Sequence, residues 1–186
     1  MPRLTHWWNA LRFYWFTGGK GNLTFFAVLA VPVVVLVSMA RFAYVDQRSI
    51  VAERQRRSDL VCLAENVYFE ARGEPVAGQR AVAEVTLNRV ASPRFPSTVC
   101  GVVYEKNWDP IRKRYVGAFA WTEKDSVRRP GGAEWDRAME VARAVYENEG
   151  EAVASGALFY HAAHIQPSWA RSKERVVKIG GHVFYE

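Results

Sequence analysis

Two glutamates, Glu70 and Glu74, are the first candidates for chemistry in this sequence, within Tyr68-Phe69-Glu70-Ala71-Arg72-Gly73-Glu74-Pro75. At about 100° per residue, Glu70 falls beside Leu63 and Val67, so its carboxylate belongs to the helix face that ought to pack. Partial burial disfavours the ionised form of a carboxyl and raises its pKa, which suits a general acid working near neutral pH. The competing structural reading is a helix-end glutamate paired with Arg72 or Arg89. Glu74, one turn on, suits a helix junction or the wall of a cleft.

These carboxylates need elements to position them. Ser58 and Asp59 are suited to cap a helix in which Leu60, Leu63, Ala64, Val67 and Ala71 recur at helical spacing. Gly73 ends it and Glu74-Pro75 opens the next. That second helix, about Pro75 to Val90, is apolar over much of its circumference through Val82, Ala83, Val85, Leu87 and Val90, which predicts a buried central helix. From Ala91 to Pro130 the frequent Pro and Gly predict long loops with short elements, of the kind that shape a cleft. A third helix is expected over Ala133–Glu147, with Trp135, Ala138, Met139, Ala142, Val145 and Tyr146 on one stripe. Strand-like pieces follow at Ala157–Ala162 and Val176–Tyr185, the latter folded about Gly180-Gly181 as a hairpin. The class is α+β, helices leading and a small antiparallel sheet closing the chain.

The N-terminal third is different. Leu23 to Ala40 is an uncharged apolar run of 18 residues, long enough to cross a hydrocarbon core of about 30 Å. Pro32 is tolerable in a membrane helix. Residues 1–22, with Trp7, Trp8, Phe13, Tyr14, Trp15 and Phe16, read as an interfacial flank. Residues 41–57 read as a juxtamembrane stalk, and the globular domain as 58–186. Ser38-Met39-Ala40 resembles a cleavage site, but the 22 residues preceding the run are long for a signal peptide's basic region, which favours a retained anchor.

The formal net charge of +6 suits an anionic partner. The basic residues are scattered and tied to no nucleic-acid-binding motif, so nucleic acid ranks last. The two cysteines, Cys62 and Cys100, show no zinc-type spacing. One disulfide would fit an oxidising compartment, and two buried thiols are the alternative.

The Glu70 segment then gains context. EARGEP, followed by Ala77-Gly78-Gln79 and Thr86-Leu87-Asn88-Arg89-Val90, resembles the SleB/CwlJ-type cell wall hydrolase family. So do Arg94-Phe95-Pro96, Thr98 to Tyr104, Tyr160-His161-Ala162, Pro167-Ser168-Trp169-Ala170 and Ile179 to Tyr185. The resemblance runs in order from about Cys62 to the C-terminus. It implies a lysozyme-like fold around a glycan cleft, peptidoglycan as substrate, no cofactor, and Glu70 as the catalytic acid. Glu74, Tyr68, Phe119, Trp121, Tyr160, His161 and Trp169 become candidates for substrate contacts, with core packing as the alternative for the tryptophans.

The same resemblance argues for the compartment. Arg41, Arg48, Arg54, Arg56 and Arg57 follow the apolar run while only Arg3, Arg12 and Lys20 precede it, which by charge alone leans toward a cytoplasmic domain. A peptidoglycan substrate, supported by the cysteines, reverses that: inner membrane, single pass, domain in the periplasm. One departure stands out. Members of the family often carry Cys-Gln-Phe-Ser-Trp-Thr-Cys where this chain has Gly117-Ala118-Phe119-Ala120-Trp121-Thr122-Glu123. Both cysteines are absent together, and so are two polar groups suited to a cleft.

Within the family's range, a single acid points to a lytic transglycosylase, since ordinary glycosidases use two carboxylates. Two alternatives remain: a zinc amidase of the peptide stem, recruiting His161, His164 and a carboxylate, and a catalytically weak wall-binding protein.

Overall fold

A computed structural model describes residues 21–124 and 130–186. The expected interfacial flank therefore lies almost wholly outside the described residues. The chain divides into two units, residues 1–53 and 54–186.

The first helix, α1, spans Gly21–Ala71 and contains Pro32. In the first unit its apolar side chains from Val28 to Met39 are exposed. It is, among the described residues, the one helix long and apolar enough to cross a membrane, with a mean hydropathy of 2.2 in its most apolar window. No new helix begins at Ser58. Residues 41–57 contain neither Gly nor Pro and are rich in the helix formers Arg, Gln, Glu and Ala, so nothing interrupts the turn. Asp59 serves packing instead of capping: it is buried, and its carboxylate accepts from Gln55 Nε2 at 3.0 Å and Tyr146 OH at 3.3 Å.

In the second unit α1 continues to Ala71 and turns at Gly73. Helices α2 (Val76–Ala91), α3 (Val99–Val103) and α4 (Gly132–Tyr146) follow. Between α3 and α4 lies a two-stranded hairpin, β1 (Lys106–Asp109) and β2 (Arg114–Gly117), then a 3₁₀ turn over Ala120–Glu123. The chain closes in an antiparallel three-stranded sheet of order β3-β5-β4, from β3 (Phe159–Ala162), β4 (Arg175–Ile179) and β5 (His182–Tyr185). The last two strands turn at Gly180-Gly181.

Helix α2 is central because both its sides are apolar. One side joins Leu63 and Val67 of α1, Val99 and Val103 of α3, and Ala138 and Val141 of α4 through Ala83. The other packs Ala81, Val82 and Val85 against Ala71 and Phe184. Each fully buried Val or Leu contributes about 1.5–3 kcal/mol, so the end of α1 is held firmly. Two of the buried polar side chains on the helices, Asn66 and Glu84, are paired. Asn66 donates to Thr86 Oγ1 at 3.0 Å, and Glu84 accepts from the amides of Val153 and Ala154 at 2.9 and 2.7 Å. Cys62 and Cys100 are bonded, tying α1 to α3.

Candidate active site

Glu70 stands in the last turn of α1, one turn beyond Asn66 and beside the buried Val67. The register of the sheet brings Tyr160 to it. Tyr160 pairs with Phe184, and both rings face inward, 5.6 Å apart. From there the Tyr160 hydroxyl donates to Glu70 Oε2 at 3.2 Å.

Burial pushes the Glu70 carboxyl above its ordinary range, opposed by the Tyr160 hydrogen bond and by the nearby positive charge of Arg89. Burial also raises the Tyr160 hydroxyl well above its ordinary value, with the Glu70 charge adding to it. The phenol therefore remains a donor. A carboxyl so placed is protonated more readily than a surface glutamate, yet has a donor and a cation ready when it ionises.

Arg89 was legible from the sequence only as a possible ion-pair partner. It follows Val82 and Val85 at helical spacing on α2, which points it toward packed surroundings. Its Nε donates to the Leu158 carbonyl at 2.8 Å, and its guanidinium lies 5.2, 5.5 and 5.9 Å from the ring centres of Phe95, Phe119 and Phe159. A planar cation among aromatic faces is fixed in orientation. Phe119 is thus a buried wall beside Arg89.

Trp121 flanks the same stretch of α1. Its ring stacks on Phe69 at 4.6 Å and its Nε1 donates to Asn66 Oδ1 at 3.4 Å. The departure from the family pattern lies in this turn. At the two positions where the family often has cysteines, the Gly117 amide donates to Glu123 Oε1 at 2.5 Å, and Glu123 also pairs with Arg114 at 3.0 Å. A hydrogen bond joins the same two positions that a disulfide would.

Glu74 is drawn elsewhere. Its Oε2 accepts from the Gly181 amide at 2.8 Å, and its Oε1 lies 3.7 Å from His182 Nδ1. The glycines make room for it. Gly180 has φ +54°, and a Cβ on Gly181 would sit 2.7 Å from Glu74 Oε1. Glu74 thereby joins the α1–α2 turn to the β4–β5 turn. Burial lowers the His182 pKa, partly offset by the Glu74 charge.

Three of the expected contact residues lie apart from Glu70. Tyr68 is about 200° round α1 from it, packed edge-on to Trp135 at 6.1 Å with Arg72 over its ring. His161 follows Tyr160 in β3 and so points to the opposite face of the sheet. There it stacks on Tyr185 at 5.3 Å and meets Trp169 at 5.6 Å. His161 Nδ1 lies 2.9 Å from the Ala162 carbonyl, which sets it as the donor and leaves Nε2 to accept from Tyr185 OH at 3.0 Å. Both ring nitrogens are therefore engaged. Among the described residues, no group of three His, Cys, Asp or Glu side chains is arranged to hold a metal ion.

A family model described as Cell Wall Hydrolase matches residues 73–185. It begins just after Glu70. The chain is 35% identical to a spore cortex-lytic enzyme of Halalkalibacterium halodurans over 130 residues, 68% of this chain and 34% of that protein. It is 30% identical to a spore cortex-lytic enzyme of Bacillus cereus over 128 residues, 69% of this chain and 44% of the relative. The chain thus spans less than half the length of these curated relatives. Among solved structures, the catalytic domain of the germination-specific lytic transglycosylase SleB from Bacillus anthracis is similar, with a TM-score of 0.55 and 31% identity. That match covers 69% of this chain and 93% of that domain. From the extent of the family match and the similar arrangement of the helices and small sheet, the chain belongs to the cell wall hydrolase family.

Proposed function

We propose that the chain cuts the glycan strand of peptidoglycan between N-acetylmuramic acid and N-acetylglucosamine as a lytic transglycosylase, with Glu70 as its single acid. The observation that carries this reading is the setting of Glu70: a carboxyl raised by burial, hydrogen-bonded by Tyr160 and within reach of the Arg89 charge. Likeness to the SleB catalytic domain, a lytic transglycosylase, supports the reaction class.

Protonated Glu70 gives its proton to the glycosidic oxygen as the bond to C1 breaks. The sugar's own 2-acetamido oxygen supports C1 from the opposite face, a substrate-assisted exception to the two-carboxylate rule. Tyr160 and Arg89 then stabilise ionised Glu70, which takes the proton of the C6 hydroxyl. That oxygen closes on C1 with the large effective molarity of an intramolecular nucleophile. Glu74 is the other carboxylate on this part of the chain, and its hydrogen bond to Gly181 engages it in the hairpin. A zinc amidase is less well supported, because both His161 nitrogens are already bonded.

The exposed apolar stretch of α1 supports a membrane anchor, and the Cys62–Cys100 bond supports an oxidising compartment. We place the catalytic unit in the periplasm, tethered by residues 23–40.

The test is Glu70→Gln on purified sacculi. Activity should fall at least about a hundredfold, since the amide keeps the shape and loses the proton. Glu74→Gln should be milder. A group with a raised folded pKa contributes stability that is present at low pH and lost as pH rises through that pKa. Glu70→Gln should therefore unfold at a temperature no lower than wild type at neutral pH. Near-wild-type turnover by Glu70→Gln would remove the assignment.

A further inference from the structure

The sheet that presents Tyr160 to Glu70 has a second, outward face, and it is strongly charged. In the registers of β3, β5 and β4, His161 lies opposite Val183, Lys178 also opposite Val183, and Arg175 opposite Tyr185. All therefore point to the side away from Tyr160 and Phe184. Arg171, from the 3₁₀ turn over Ser168–Ser172, leans over the same ground. Together these six side chains line much of a cleft of about 410 Å³, within the size range of pockets that take small ligands.

The lining has a definite chemistry. Its floor is apolar and aromatic, from Val183, Tyr185 and the His161 ring, with Ile165 and Pro167 at the margin. Its rim carries the charges of Arg171, Arg175 and Lys178, all exposed. None of the three takes part in an ion pair among the described residues. Like charges gathered at one concavity repel one another and favour an anion, and a guanidinium grips a carboxylate with two parallel hydrogen bonds.

We propose that this cleft binds the peptide stem of the wall polymer through its carboxylates, so that the protein holds its substrate at two places, sugar at Glu70 and stem behind the sheet. The proposal rests on the glycan-cleaving reading for its choice of anion: while the lactyl group of each muramic acid is amide-linked to a stem the sugars are neutral, and the stem carries the carboxylates. Alanine methyls in the stem match the apolar floor. A stem of four residues extends at most roughly 14 Å, and it would round the β3 edge of the sheet, whose adjacent residues Tyr160 and His161 face the two sites. Specificity for strands that still carry stems follows.

The experiment uses the full chain in detergent and a synthetic stem tetrapeptide with a free C-terminal carboxylate. Calorimetric titration should show binding that weakens about tenfold or more in Arg175→Gln/Lys178→Gln and on amidation of the peptide carboxylates. The charge-keeping pair Arg175→Lys/Lys178→Arg should bind within a few-fold of wild type. In turnover, the neutralised variant should raise KM about tenfold on stem-bearing strands with kcat retained, and match wild type on strands stripped of stems. Equal peptide binding by wild type and the neutralised variant overturns the proposal, as does tighter binding of inorganic phosphate than of the peptide. Charge-dependent peptide binding in a protein that cuts neither kind of strand would overturn the glycan-cleaving reading instead and leave the stem site standing.

Discussion

The Tyr160 hydroxyl donates to Glu70 Oε2 at 3.2 Å across 90 residues of chain, joining the first strand of the closing sheet to the last turn of α1. The bond acts against burial. Desolvation favours the protonated form of Glu70, while Tyr160 and Arg89 favour the ionised one. A group that must first give a proton and then take one back is served by that opposition.

Tyr160→Phe removes the donor while keeping the ring. The ionised form of Glu70 then loses a stabilising partner, so its pKa rises further above the ordinary carboxylate value. Since the first step needs protonated Glu70, activity is lost as pH rises through that pKa, and the alkaline limb of kcat/KM should move to higher pH. Turnover below the limb should fall about ten- to a hundredfold, in line with the loss of one hydrogen bond to a charged group, about 1.5–3 kcal/mol. A pH–rate profile checks both effects. An unmoved limb would mean that the bond does not bear on the titrating group.

Part of this arrangement was legible in the residues alone. Helical spacing placed Glu70 with Leu63 and Val67, and Gly180-Gly181 marked the turn between β4 and β5. The partner of Glu70 was not legible as such, because sheet register carries Tyr160 to it from far along the chain. Strand alternation, a period of two, separates Tyr160 from His161, although the shared motif suggested one site for both. The β1–β2 hairpin lacked an Asn-Gly or Asp-Gly turn. Its turn rests on the Asp109 side chain, which accepts from the amides of Ile111 and Arg112 at 2.8 and 2.9 Å, and on Lys113 at φ +51°. Ser58-Asp59 read as a helix start because cap residues can also serve inside a helix when their oxygens find tertiary donors, as Asp59 does with Tyr146.

The Cys62–Cys100 bond closes a chain separation of 38 residues, for which loop entropy gives about 3–4 kcal/mol of stabilisation. The double variant Cys62→Ala/Cys100→Ala should shift the urea midpoint of the full chain downward by that amount divided by the m value. Non-reducing peptide mapping of protein from the native compartment should find the two thiols joined. Free thiols there would remove an argument for the periplasm.

Membrane topology can be read with reporters fused after Glu186. A periplasm-dependent reporter should be active and a cytoplasm-dependent one silent, despite the arginines that follow the apolar run. The reverse pattern would show that charge, not substrate, had decided the orientation.

The most direct test of the central claim is the mass of the released muropeptides. Intramolecular closure by the C6 hydroxyl consumes no water, so the new muramic acid ends should be 1,6-anhydro and lighter by one water than the products of hydrolysis. Digestion of purified sacculi by the full chain, followed by mass spectrometry, should give those ends with wild type and almost none with Glu70→Gln. Reducing-end muramic acid as the only new terminus would contradict a single-acid transglycosylase.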